Sequence, residues 1–209
     1  MANSRARTVI VDYGTGNLHS VKKALDRLGA DCFMSSNARD IASADKIILP
    51  GVGHFGAAMA NLHELELVDA LNEAVTIGQK PILGICLGVE LMSRHSEEGD
   101  ASGLGWFNGV SVKFDQPDCT RFKVPHMGWN QVRVHNGSRL MRDVAQQSEF
   151  YFAHSYYLRL DDQESPAGET EYGTVFPSVI ERENVFGVQF HPEKSHDAGS
   201  RVLENFIQL

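Results

Sequence analysis

The sequence predicts an α/β protein: a mostly parallel open sheet with helices on both faces, and an additional β-rich portion in the second half. Three observations predict it. Short apolar runs alternate with helix-period segments through the first half, the pattern of strand–helix–strand units that pair in parallel. Beyond Ser96 the helical period gives way to short, partly alternating segments that read as strands. The 209 residues, 42% hydrophobic and 22% charged, suit one domain, 1–209, with a substantial core.

Taken in order, Thr8-Val9-Ile10-Val11 is a buried strand, followed by the turn-rich Asp12-Tyr13-Gly14-Thr15-Gly16-Asn17. Gly14-x-Gly16 lacks the third glycine and the spaced acidic residue of a dinucleotide turn, so it is not read as one. Asn17 is a good N-cap, and Leu18, Val21, Leu25 and Leu28 recur at helical spacing until Gly29. Cys32-Phe33-Met34 and Lys46-Ile47-Ile48-Leu49 are the next strands. The glycine-dense Pro50-Gly51-Val52-Gly53-His54-Phe55-Gly56 then lies at the carboxyl end of a strand, where open α/β sheets bind ligands. A helical stretch runs from about Ala57 to Ile77, with a break in the middle. After Pro81 to Met92, strands are expected at Val110–Phe114, Asn130–Val134, Glu149–Leu160 and Asn184–Phe190, an exposed polar loop at Asp161–Gly168, and a last helix at Ala198–Leu209.

The run Pro81-Ile82-Leu83-Gly84-Ile85-Cys86-Leu87-Gly88-Val89-Glu90-Leu91-Met92 carries the chemistry. Gly84-x-Cys86-x-Gly88 is the cysteine form of the strand–nucleophile–helix elbow. Its sharp turn strains the nucleophile's backbone, and side chains at the flanking positions would clash. A thiol at a helix N-terminus also meets the positive end of the dipole, which favours the thiolate. Such a nucleophile needs a base or cation nearby. Of the nine histidines, His191 stands out: it opens His191-Pro192-Glu193-Lys194-Ser195 directly after an apolar strand. Residues two apart on extended chain point the same way, so Glu193 can orient the imidazole.

Charge and cysteine usage narrow the setting. The formal net charge of −8 argues against nonspecific nucleic-acid binding. Three cysteines without framework spacing suggest a reducing compartment, no apolar stretch approaches membrane-spanning length, and no signal-peptide apolar region precedes the first strand. A cytoplasmic protein is the expectation. Cys119 and His126 have no close second pair of ligands, so no metal site is expected.

The order Cys86 … His191-x-Glu193 resembles the class I (triad) glutamine amidotransferases. Pro50-Gly-Val-Gly53, Gly84-Ile-Cys-Leu-Gly88, Pro125-His-Met-Gly-Trp-Asn130, Tyr151-Phe-Ala-His-Ser-Tyr156 and Gly187-Val-Gln-Phe-His-Pro-Glu-Lys-Ser195 resemble, within that family, the glutaminase subunits of imidazole glycerol phosphate synthases. The resemblance implies that Cys86 attacks the side-chain amide of glutamine, that His191 shuttles protons and that Glu193 orients it. It implies an oxyanion hole from backbone at Val52, Gly53 and Leu87, completed by a peptide flip at Val52. Substrate contacts would come from Gly53, Glu90, His154, Ser155 and Tyr156. Ammonia would pass to a (β/α)₈-barrel synthase subunit in a heterodimer for histidine biosynthesis, docked at Asn17, Trp129, Tyr151 and Lys194, with no cofactor. One position departs from the family, which usually has Gln where this chain has Glu90; an ionised carboxylate there cannot donate to, and would repel, the substrate's carboxylate. Rival expectations are a paralogous glutaminase feeding a sugar-amidating synthase of surface-polysaccharide pathways, hinted at by Gly103-Leu-Gly-Trp-Phe107 and His196, a non-catalytic regulatory subunit, and a stand-alone cysteine hydrolase.

Overall fold

The computed structural model describes residues 6–115, 120–161 and 166–209. Cys119 and residues 162–165 of the expected polar loop lie outside them. The first half alternates as its periodicity predicts: β1 (Arg7–Val11), α1 (Leu18–Arg27), β2 (Asp31–Ser35), α2 (Ala38–Ser43), β3 (Lys46–Gly51), α3 (Phe55–Glu64), α4 (Leu67–Asn72), β4 (Ile82–Cys86) and α5 (Leu87–Leu91). The expected helix break falls at Glu66, whose φ of 55° is left-handed and separates α3 from α4; the chain then closes with a π-type segment, Glu73–Ile77. Asn17 occupies the N-cap position of α1, but its side chain makes no capping bond.

The second half is richer in strands than its pattern suggests. It adds β5 (His95–Ser96), β6 (Ala101–Ser102), β7 (Gly109–Lys113), β8 (His126–Gln131), β9 (Arg133–Val134), β10 (Glu149–His154), β11 (Tyr156–Leu160), β12 (Gly168–Tyr172), β13 (Thr174–Arg182) and β14 (Val185–Val188), before α6 (His196–Ile207). The main sheet runs β2-β1-β3-β4-β14-β13-β12-β9. Its first five strands are parallel and the rest antiparallel. β8 and β10 form a separate pair, and β11-β7-β5-β6 a third sheet.

Two apolar clusters fill the two faces of the main sheet. Val9, Val11, Ile47 and Leu49 pack into one, and Ile10, Ile48, Leu83 and Ile85 into the other, as the period of two along a strand requires. Residues such as Phe186 and Phe206, fully buried, each contribute roughly 1.5–3 kcal/mol of hydrophobic stabilisation. The expected single strand over Glu149–Leu160 is broken at Ser155. β10 pairs with β8 and β11 with β7, so the chain changes sheets at that residue. That corner forms one wall of the site.

Candidate active site

β4 ends on Cys86, which has φ 54° and ψ −115°. L-residues avoid this region at a cost of about 1–3 kcal/mol, so the surroundings must impose it. The flanking glycines show how. A β-carbon on Gly84 would lie 2.8 Å from the backbone of Val89, and one on Gly88 would collide with the carbonyl of Leu49. Helix α5 thus starts directly against β3, and register sets Gly51 beside Cys86. The thiol is buried, with Sγ facing Ala153 O at 3.9 Å. Burial raises its pKa above the ordinary value and the Glu90 carboxyl adds to this, while the Leu87 N–H acts in the opposite direction. The expected helix-dipole preference for thiolate is therefore outweighed: α5 has only five residues, and desolvation dominates. The resting sulfur carries its proton.

His191, the base expected from the sequence, follows the neighbouring strand. β14 lies parallel to β4 with Val188 opposite Ile85, and the chain continues to His191, whose N–H donates to Tyr151 O at 2.9 Å. Carbonyls two residues apart on a strand point the same way, so Cys86 and His191 attach to the same edge of β10, at Ala153 and Tyr151. Glu193 reaches His191 differently from the expected extended-chain alternation. Pro192–Lys194 form a 3₁₀ turn that folds the carboxylate back, placing Oε1 2.9 Å from His191 Nδ1. Both side chains are almost fully buried, and Glu193 Oε2 has no partner among the described residues. With Nδ1–H committed to Glu193, Nε2 keeps the lone pair a general base needs.

A pocket of about 170 Å³ opens onto the sulfur. Val52, Gly53, Leu87 and Glu90 line it on the elbow side, and His154, Ser155 and Tyr156 on the other. Gly53 has φ 104°, open to glycine and strained for any other residue. Tyr13 Oη donates to Pro50 O at 2.8 Å and holds the strand end from which Val52 emerges. Glu90 Oε1 accepts from Gln189 Nε2 at 2.8 Å, and Ser111 Oγ lies 3.5 Å from Oε2. Burial, assisted by Glu98, raises the Glu90 pKa to about 8 against the pull of these two donors. At neutral pH the carboxyl is predominantly protonated, so it carries one donor and one acceptor, as an amide does, and the expected repulsion of a substrate carboxylate is relieved.

A family model described as glutamine amidotransferase class-I matches residues 9–209. The chain belongs to the class I glutamine amidotransferases. It is 45% identical over 199 residues to imidazole glycerol phosphate synthase subunit HisH 2 of Methanococcus maripaludis, covering 95% of this chain and 98% of that protein. It is 46% identical to subunit HisH 2 of Pseudomonas aeruginosa, covering 96% and 98%, and 43% identical to subunit HisH of Neisseria meningitidis serogroup B, covering 96% and 99%. Among solved structures, PurLQS from Thermotoga maritima superposes with TM-score 0.74 at 18% identity, with 98% of each chain covered. The glutaminase domain of Trypanosoma brucei CTPS gives TM-score 0.67 at 16% identity, covering 97% of this chain and 94% of that one. These two likenesses speak for the fold.

The remaining residues of this amidotransferase fall into three groups. His154 reaches the pocket wall, but both ring nitrogens are taken within the protein, Nδ1 by Tyr156 O at 2.7 Å and Nε2 by His126 at 3.0 Å. Trp129, Tyr151 and Lys194 meet on one face: Trp129 stacks on His196 at 4.9 Å, its edge meets Tyr151, and Lys194 Nζ lies 5.5 Å from the Tyr151 ring centre. Asn17 stands at the start of α1, which packs on the 3₁₀ turn carrying Lys194. Sequence reasoning missed Glu98, Met127, Gln189 and Ser111. Glu98 lines the pocket and accepts Phe55 N–H at 2.7 Å, yet its surroundings, Ser96-Glu97-Glu98-Gly99-Asp100, read as any polar surface turn. No group of three or more His, Cys, Asp or Glu suited to a metal ion occurs among the described residues, and no helix there is long and apolar enough to cross a membrane.

Proposed function

We propose that this chain, as a single domain, is the glutaminase subunit of an imidazole glycerol phosphate synthase, supplying ammonia for histidine biosynthesis. The likeness to HisH subunits along nearly the whole chain supports the pathway. The observation that carries the chemistry is a strained Cys86 elbow ending β4 and a buried His191–Glu193 pair following its parallel neighbour β14, both tied to β10.

The reaction follows from the groups present. The Cys86 S–H proton passes to His191 Nε2 as sulfur bonds to the glutamine side-chain carbonyl carbon. The resulting oxyanion is met by the Leu87 N–H and by backbone from Val52–Gly53; one such donor is worth about 2.7–4 kcal/mol in the transition state. The imidazolium, stabilised by Glu193, protonates the departing nitrogen, the C–N bond breaks and ammonia leaves. Water then attacks the thioester, gives its proton to His191, and glutamate departs as sulfur regains a proton. Glu98, a carboxylate at the pocket, suits the substrate's α-ammonium, and neutral Glu90 suits its carboxylate. The exposed apolar side chains Val52 and Met127 line the pocket, and Trp129 is exposed on the same face of β8 as Met127; a cytoplasmic (β/α)₈-barrel synthase docked there would cover the pocket and take up ammonia before it escapes to water.

Purified subunit mixed with a candidate barrel synthase and its nucleotide substrate should release glutamate from glutamine, and Cys86→Ala should abolish this. Expression should rescue a histidine auxotroph lacking its own glutaminase subunit. A second reading, ammonia supply to a sugar-amidating synthase, rests on the Gly103-Leu-Gly-Trp-Phe107 run. Under it, soluble active protein fails to rescue the auxotroph. Glutamine turnover without any synthase would instead point to a stand-alone hydrolase.

A further inference from the structure

Behind the pocket wall runs a chain of hydrogen bonds whose direction is set at both ends. His126 and Asn130 share one face of β8, with Met127 and Trp129 on the other. The Asn130 amide is oriented from two sides: Oδ1 accepts the Gln131 N–H at 2.8 Å, and Nδ2 donates to Glu171 O at 3.0 Å. Its second hydrogen is directed to His126 Nε2 at 3.3 Å, which therefore bears a lone pair. The proton of His126 is then on Nδ1, 3.0 Å from His154 Nε2. Starting from the other end gives the same answer: Tyr156 O, at 2.7 Å, can only accept, so the His154 proton is on Nδ1 and its Nε2 receives.

Packing holds the chain in place. His126 is 2% exposed, sandwiched between Phe152 at 4.7 Å and Tyr172 at 3.9 Å, and His154 is 5% exposed. Burial lowers their pKa values to about 4 and about 3, so both rings are neutral, as the directions require. The chain ends where the backbone most needs it. At Ser155 the strand leaves one sheet for another, and from the β7 side the corner is tied by the Phe114 N–H to Ser155 O bond. The relay ties it from the β8 side.

We propose that His126 is a positioning residue for the glutamine substrate: through His154 it fixes the Tyr156 carbonyl and with it the Ser155–Tyr156 wall of the pocket. This rests on the glutaminase reading above. His126 lines no part of the pocket and acts only through its neighbour. Without its Nδ1–H, His154 Nε2 is a buried acceptor with nothing to accept, and the ring gains by turning away from Tyr156 to find a donor.

Two variants separate the relay from packing. His126→Phe keeps an aromatic ring between Phe152 and Tyr172 but removes both nitrogens; His126→Asn places an amide N–H near the lost Nδ1–H. KM and kcat for glutamine are measured with the synthase present, glutamine affinity by calorimetry in a Cys86→Ala background, and the His154 tautomer by its imidazole nitrogen and N–H signals in NMR. His126→Phe is expected to raise KM and Kd about tenfold, the worth of one hydrogen bond, with kcat changed less than about threefold and the His154 Nδ1–H signal lost. His126→Asn is expected to recover most of the affinity and the signal. Unchanged KM in His126→Phe despite a lost signal overturns the proposal, as does an equal loss of KM, kcat and melting temperature in both variants. If wild-type protein neither binds nor hydrolyses glutamine, the glutaminase reading falls; a His154 signal lost in His126→Phe then retains the relay, and one that persists removes it.

Discussion

The carbonyl oxygen of Leu49 occupies the space a β-carbon on Gly88 would need. This contact lets α5 begin against the end of β3, and so puts the Leu87 N–H at the Cys86 sulfur. Gly88→Ala sets a methyl group against backbone that neighbouring strands hold on both sides. A loss above about 3 kcal/mol is expected, beyond ordinary overpacking. Urea denaturation checks it, and a change under about 1 kcal/mol would contradict the close approach.

Glu193 fixes which nitrogen of His191 carries the proton. In Glu193→Gln the buried amide can turn its NH₂ toward Nδ1, favouring the tautomer with its lone pair on the wrong side. With the synthase present, kcat should fall about 10²–10⁴-fold while KM for glutamine stays within about threefold. Retention of more than about a tenth of the rate would remove Glu193 from this role.

Acid should uncouple the His126–His154 relay and destabilise the fold. Both histidines have folded-state pKa values below the ordinary 6.5, about 4 and about 3, because burial disfavours the cations. The unfolded chain takes up these protons first, so the stability they confer is complete above about pH 6.5 and declines as pH falls towards 4 and 3. Urea midpoints between pH 7.5 and 3.5 should fall more steeply for wild type than for His126→Phe. Parallel curves would show that these rings do not titrate as stated.

Glu90 works in the opposite sense. Its folded-state pKa is raised to about 8 from 4.5, so the folded protein holds a proton the unfolded chain releases. That contribution is complete below about pH 4.5 and is lost as pH rises through about 8. Glu90→Gln keeps the shape and cannot ionise, so its melting temperature should gain on wild type between pH 5 and pH 9, at about 2–4 °C per kcal/mol. Glutamine affinity of wild type should weaken above about pH 8 as the carboxylate forms, and that of Glu90→Gln should not. A constant difference in melting temperature across this range would mean that Glu90 ionises normally.

Much of the fold is legible in the sequence because its signals are local. The alternation of Thr8–Val11 and Lys46–Leu49 with helical spacing from Leu18 to Leu28 places parallel strands and their helices correctly. The six-residue α2 and the strands β12 and β13 carry no such signal. α2 is too short to show a period, and β13 carries Pro177 and polar residues that blur its alternation. The break at Ser155 is hidden within an unbroken β-like run, Glu149 to Leu160, because only the partner strands differ on its two sides.

The sequence by itself determined the elbow at Cys86, through glycines whose absent side chains are a local steric demand, and the order of cysteine, histidine and carboxylate. Tertiary structure alone decided that the thiol and Glu90 hold their protons and that His126 finds His154. The physical reason is range. Backbone geometry is set within about four residues, whereas desolvation and buried hydrogen bonds sum contributions from strands tens of residues apart that meet only once the sheets have closed.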